Sequence, residues 1–192
     1  MSFSIRRELR ARRRRLTPIE QRDHARRLAR QLRGQWRFRR AVRVALYWPA
    51  DGEIDPRLLL RLQGAKQWHI PILQRFPTKT LAFVRWRPGE PLVRNRFGIP
   101  EPARRGYCVR HAQSLDLLLM PLVGFDAAGH RLGMGAGFYD RSLAYLGRRR
   151  TWRRPRLIGL AHACQQLEHI APRPWDIPLD AIVTEEGVWG RV

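Results

Sequence analysis

The spacing of short apolar runs constrains this fold more than any other feature of the sequence. Residues 41–48, 67–72, 81–86, 116–123, 156–161 and 181–184 each read as a strand, separated by helical or turn-rich segments. The first run is broken by Pro49 and by the turn signal Asp51-Gly52. No repeat, linker or low-complexity block divides the 192 residues, a length that suits one domain with a sizeable core. The expected fold class is therefore α/β: a single-domain, three-layer fold with a mostly parallel, Rossmann-like sheet. Residues 1–192 are expected to form that one domain, with a helical segment over 4–36 packed on the α/β core. Ligands in such sheets sit beyond the carboxyl ends of the strands, so a site is expected in the loops after 47 and after 123.

The helical segment carries its own punctuation. Residues 4–15 place Ile5, Leu9 and Leu16 on one side, and Arg6 and Arg10, four apart, on one helical face. A second helix starts with Thr17, Pro18 and Glu20, a Thr-x-x-Glu capping box with proline in the first turn. Ala25, Leu28, Ala29, Leu32 and Trp36 continue its apolar stripe, with Gly34 as a stop. Asp55-Pro56 opens a short helix ending near Gly64, residues 87–114 read mostly as loop, and 139–146 read as a helix stopped by Gly147. The Arg-rich start contains Glu8, Glu20 and Asp23 and is poor in serine, unlike a transit peptide. With no secretory signal and no apolar run long enough to span a bilayer, a cytoplasmic protein without membrane contact is expected. Cys108 and Cys164 are expected to be reduced thiols, and no histidine pair has metal-ligand spacing.

A formal net charge of +22 invites a nucleic-acid reading. Of the 38 basic residues, however, only Lys66 and Lys79 are lysines, and the arginines are spread along the whole chain. The best case for RNA is Trp36-Arg37-Phe38-Arg39-Arg40, where aromatic and basic residues alternate. A basic RNA-binding protein is the alternative on that ground, although nucleic acid is not the expected partner. A surplus of positive charge serves equally to attract small anionic ligands.

The loop after residue 123 is richer in chemistry. Gly133, Gly135 and Gly137 alternate, which leaves a narrow backbone whose N–H groups can converge on phosphate oxygens. Arg131 adds a forked cation suited to phosphate, and Asp140 a hard oxygen ligand of the kind magnesium takes. No Gly-Lys-Ser/Thr follows, so this is not a P-loop, and Phe138 stands where a dinucleotide fingerprint needs its third glycine.

The string RLGMGAGFYDR at 131–141, preceded by PLVGFD at 121–126, resembles the signature of the 5-formyltetrahydrofolate cyclo-ligase family. RRELR at 6–10, ALYWPADGEID at 45–55, FGIPEP at 97–102 and PWDIPLDAIVTEEG at 174–187 fall in the same order and spacing as in that family. The resemblance implies ATP- and Mg2+-dependent conversion of 5-formyltetrahydrofolate to 5,10-methenyltetrahydrofolate, with ADP and phosphate released, by a monomer. It places ATP on Arg6, Arg10, Arg131, Leu132, Gly133, Met134, Gly135, Ala136, Gly137, Phe138 and Tyr139. It places the folate substrate on Trp48 and Glu53, with Met134, Gly135, Ala136, Gly137 and Phe138 lining the shared boundary. It assigns magnesium to Asp140 and Asp180, although a parallel strand at 181–184 would carry Asp180 to the edge away from the site. Ala136 departs from a glycine common in the family, and a negative φ is expected there.

Overall fold

The computed structural model describes residues 2–62, 66–74, 79–103, 109–148 and 154–190. Three helices open the chain: α1 (Ser2–Arg14), α2 (Pro18–Gly34) and α3 (Trp36–Arg40). Then come β1 (Arg43–Ala45), a 3-10 helix (Pro56–Arg61), β2 (Gln67–Leu73) and β3 (Leu81–Arg85). The hairpin of β4 (Leu92–Arg94) and β5 (Pro100–Pro102) and the short β6 (Val109–Arg110) lead to β7 (Leu117–Pro121). A second hairpin, β8 (Gly124–Phe125) and β9 (Arg131–Leu132), precedes α4 (Phe138–Leu143) and α5 (Tyr145–Arg148). Strands β10 (Arg156–Leu160), β11 (Ala181–Val183) and β12 (Val188–Gly190) complete the chain.

The main sheet has eight strands in the order β12-β11-β10-β7-β1-β2-β3-β6. Its five central strands, β11 through β2, are parallel; β12 on one side and β3 on the other run antiparallel to them, and β6 pairs antiparallel with β3. The α/β class with a mostly parallel sheet is thus present. Near-continuous apolar sequence in the central strands is explained by burial on both faces. Val44, Leu117, Leu119, Ile158, Leu160 and Val183 pack on one side with Leu28, Leu32, Phe38 and Leu59 from α2, α3 and the 3-10 helix. Ala45, Leu118, Met120 and Leu157 point the other way, against Leu143 and Leu146 of α4 and α5. Alternation along each strand makes the three layers.

The helix signals are realised with small differences. Thr17 Oγ1 accepts from the Glu20 N–H at 3.3 Å, and the Thr17 N–H donates to the Glu20 carboxylate at 2.7 Å, so the capping box forms. Trp36 does not extend the stripe of α2: Gln35 ends that helix, and Trp36 begins α3 with its ring 56% exposed. The 139–146 helix is two pieces, broken at Ala144. The 87–114 region holds β4, β5 and β6, anchored where Glu101, buried, accepts from the Leu73 N–H and the Asn95 side chain, each at 2.9 Å. Cys108 and the Gly64 helix stop lie outside the described residues; Cys164 is a free, half-buried thiol. Among the described residues, no helix is long and apolar enough to cross a membrane.

Candidate active site

Strands β1 and β7 are neighbours at the centre of the sheet, and the chain leaves them toward opposite edges. Their carboxyl ends therefore open a crevice, the place where α/β sheets bind ligands. The loop after β1 carries Trp48 and the turn Asp51-Gly52-Glu53. The loop after β7 runs through the β8–β9 hairpin into the glycine-rich segment.

The first loop is tied to α1. Asp51 and Gly52 both have left-handed backbone, φ 53° and 73°. The Asp51 carboxylate accepts from Arg10 Nε at 2.6 Å, from Arg13 at 2.9 Å and from Arg14. Burial alone would raise the Asp51 carboxyl, but the bonds from Arg10 and Arg14 and the charge of Arg13 bring it below its ordinary value. Arg13 is fully buried; it also donates to the carbonyls of Asp51 at 2.8 Å and Leu122 at 3.0 Å, so one guanidinium joins both loops. Beside it lies Glu53, whose carboxylate is 3.7 Å from Arg13 and accepts the Ala50 N–H at 3.0 Å. Burial pushes Glu53 up to about 7, against the opposing pull of Arg13 and that N–H. Near neutrality it exists in both charge states.

The second loop faces α1 across an open cleft of about 940 Å³, within the size range of ligand sites. Arg6, Arg131, Leu132, Gly133, Gly135, Gly137 and Asp140 all line it. Arg6 Nε donates to the Gly133 carbonyl at 2.8 Å, holding the glycine segment toward α1. Arg131, largely buried, donates to the Asp140 carboxylate and to the Ile177 carbonyl. Residues 133–136 are exposed, and Met134 projects with 52% of its surface free. The left-handed positions fall on Gly135, φ 96°, and Gly137, φ 66°. Ala136 between them is not among the positive-φ residues, as expected, so its methyl group brings no backbone strain. Phe138 packs edge-on against Phe97 at 6.3 Å. Tyr139, half-buried, has its hydroxyl pushed up by burial and by the Glu53 charge, so the two loops meet electrostatically at that pair.

Some expected residues do not join the cleft. Arg10 spends its guanidinium on Asp51 and does not line the cavity, because the strained turn offers the nearest carboxylate. Trp48 is at the rim of the core, edge-on to Trp86 at 5.6 Å and with Arg57 over its ring at 5.3 Å. Asp180 lies at the amino end of the parallel β11 and does not line the cleft. There its carboxylate accepts from Arg156 at 2.6 Å and from the Leu157 N–H at 2.8 Å.

Other residues of the site escaped sequence reasoning. Arg13 is hidden within the run of arginines from 12 to 15; its only signal is its spacing of four from Leu9, on the inward face of α1. Arg141, Arg173 and Trp175 also line the cleft. Asp126, buried, accepts from the His130 N–H and ring and from the Ile170 N–H, each at 2.9 Å, and so fixes the β8–β9 turn. The aromatic and basic residues of 36–40 do not form a continuous stacking surface: Phe38 is in the core, and Trp36 faces out with the Arg37 guanidinium over its ring at 5.1 Å.

A family model described as the 5-formyltetrahydrofolate cyclo-ligase family matches residues 2–185. The chain is 37% identical over 185 residues to the 5-formyltetrahydrofolate cyclo-ligase of Escherichia coli (strain K12), covering 94% of this chain and 98% of that one. It is 38% identical over 180 residues to the protein of the same name from Haemophilus influenzae, covering 91% and 92%. The solved structure of Aquifex aeolicus 5,10-methenyltetrahydrofolate synthetase superposes with a TM-score of 0.81 at 28% identity, over 99% of this chain and 92% of that one.

Proposed function

This chain belongs to the 5-formyltetrahydrofolate cyclo-ligase family, and from that premise we propose that it converts 5-formyltetrahydrofolate to 5,10-methenyltetrahydrofolate at the expense of ATP. One observation carries the proposal: Arg6, Arg131, Asp140 and the exposed glycine segment share one cleft at the switch point of the sheet.

The formyl oxygen attacks the γ-phosphorus of ATP, the bond to the β-phosphate oxygen breaks, and ADP leaves. N10 then attacks the activated carbon, the carbon–oxygen bond breaks, and inorganic phosphate departs as the five-membered ring closes. Two anions must be held end to end for this, which asks the protein for position and charge neutralisation. Arg6 and Arg131 supply cations on either side of the glycine segment, and the segment's backbone supplies N–H donors. Gly133 supports a close ligand. A Cβ there would meet nothing within 4 Å, and its φ is not left-handed, so the fold does not itself require glycine. Asp140 is a hard oxygen donor beside that anion site and would hold magnesium, whose charge offsets that of the polyphosphate. Glu53, facing Tyr139, accepts from the amino-pyrimidine edge of the pterin, and Trp48 packs at the rim of that subsite. Arg10 acts through Asp51, holding the turn that presents Glu53.

The test is appearance of the methenyl chromophore from 5-formyltetrahydrofolate. The chromophore is expected with ATP and magnesium together. Its absence with both present, or equal formation with both omitted, would overturn the proposal.

A further inference from the structure

Away from the cleft, three ligating side chains converge from three elements. His24 belongs to α2, His162 follows β10, and Glu185 follows β11. Each offers an atom able to bind a metal, and those atoms lie within 4.8 Å of one another. His24 Nδ1 is 2.9 Å from His162 Nδ1 and 3.3 Å from the Glu185 carboxylate. His162 is fully buried, Glu185 is 6% exposed, and the His24 side chain closes the cluster at 19%. Both oxygens of the Glu185 carboxylate accept the Ala163 N–H at 3.1 Å, which orients it. The His162 ring also faces the Gly52 backbone.

This arrangement is unusual for a purely structural contact. Two imidazole nitrogens pointed at each other share at most one proton usefully, and a cation held between them and the buried carboxylate would satisfy all three. We infer that His24, His162 and Glu185 form a site for one divalent transition-metal ion of borderline softness, zinc being the representative. Two nitrogens and one carboxylate oxygen are a common three-ligand set for zinc, leaving a fourth position for water. Bonds of about 2.0–2.2 Å at tetrahedral angles set ligand atoms roughly 3.3 Å apart. The observed 2.9 and 3.3 Å separations lie close to that spacing, and the third, from His162 to Glu185, is within 4.8 Å. Magnesium does not suit two imidazoles, since it takes oxygen ligands in an octahedron. This ion is therefore separate from any held by Asp140. It pins α2 to the loops after β10 and β11, and His162 lies behind the Gly52 turn that carries Asp51 and Glu53.

The test uses chelator-treated full-length protein without nucleotide or folate, so its outcome is independent of the reaction proposed above. Cobalt chloride is titrated and visible absorption recorded, zinc chloride is then added in competition, and thermal stability is followed with each metal. One equivalent of cobalt with tetrahedral absorption bands, displaced by zinc and not by magnesium chloride, is expected, with a higher melting temperature in zinc. His24→Gln, on the solvent side of the cluster, is expected to weaken zinc binding by at least about 100-fold, with Glu185→Gln as a second variant. His130→Gln is expected to bind as wild type. Wild-type protein that takes up no cobalt or zinc overturns the inference, as does equal binding by His24→Gln or loss on His130→Gln alone.

Discussion

Glu53 is where charge and function are most closely coupled at the scale of single residues. Its carboxyl is pushed up to about 7 by burial, above an ordinary value of 4.5. The folded state thus holds a proton that the unfolded chain releases near its ordinary pKa. The stability from that proton is complete below the ordinary value and is lost as pH rises through about 7. Glu53→Gln should remove this slope, making the variant the more stable protein at about pH 8 by an amount no larger than about 3 kcal/mol, read from urea unfolding at several pH values. Function runs the other way. With the ionised form as the proposed acceptor of the pterin donors, KM for the folate substrate should fall as pH rises through about 7, and Glu53→Gln should flatten that profile. Asp140→Ala tests the other end of the site. It should lower kcat/KM for ATP by about 100-fold or more while leaving folate binding near wild type, as equilibrium titration of each substrate would show.

At the scale of elements, the glycine segment separates two demands on glycine. Gly135 has φ 96°, so Gly135→Ala should cost on the order of 1 kcal/mol in thermal unfolding. Gly133 has room for a Cβ and needs no left-handed backbone, so Gly133→Ala should leave the melting temperature unchanged yet raise KM for ATP. The capping box of α2 and the central strands were legible because a cap, or a run of apolar residues buried on both faces, leaves a mark in the sequence. The β4–β5 hairpin and β12 were not, since strands of three residues show no period and β5 contains two prolines. The break between α4 and α5 falls at Ala144, which itself keeps helical dihedrals, φ -53° and ψ -30°, so no residue signal marks it. Within the site, Arg6, Arg131 and Asp140 were readable from spacing and resemblance. Arg13 was not, because nothing in a run of arginines says which one is buried.

At the scale of the whole molecule, the +22 charge is an attractive field for anionic substrates more than a docking surface for a polymer. kcat/KM for ATP should therefore fall several-fold as salt rises from about 0.05 M to about 0.5 M, with kcat changing less. The central claim is that the segment around Gly133 grips the polyphosphate beside Arg6 and Asp140. Amide and arginine side-chain NMR shifts on adding magnesium and a non-hydrolysable ATP analogue test it most directly. The largest changes are expected at Gly133, Gly135, Gly137 and the Arg6 Nε–H; a saturable response confined to other surfaces, with those signals unmoved, would contradict it.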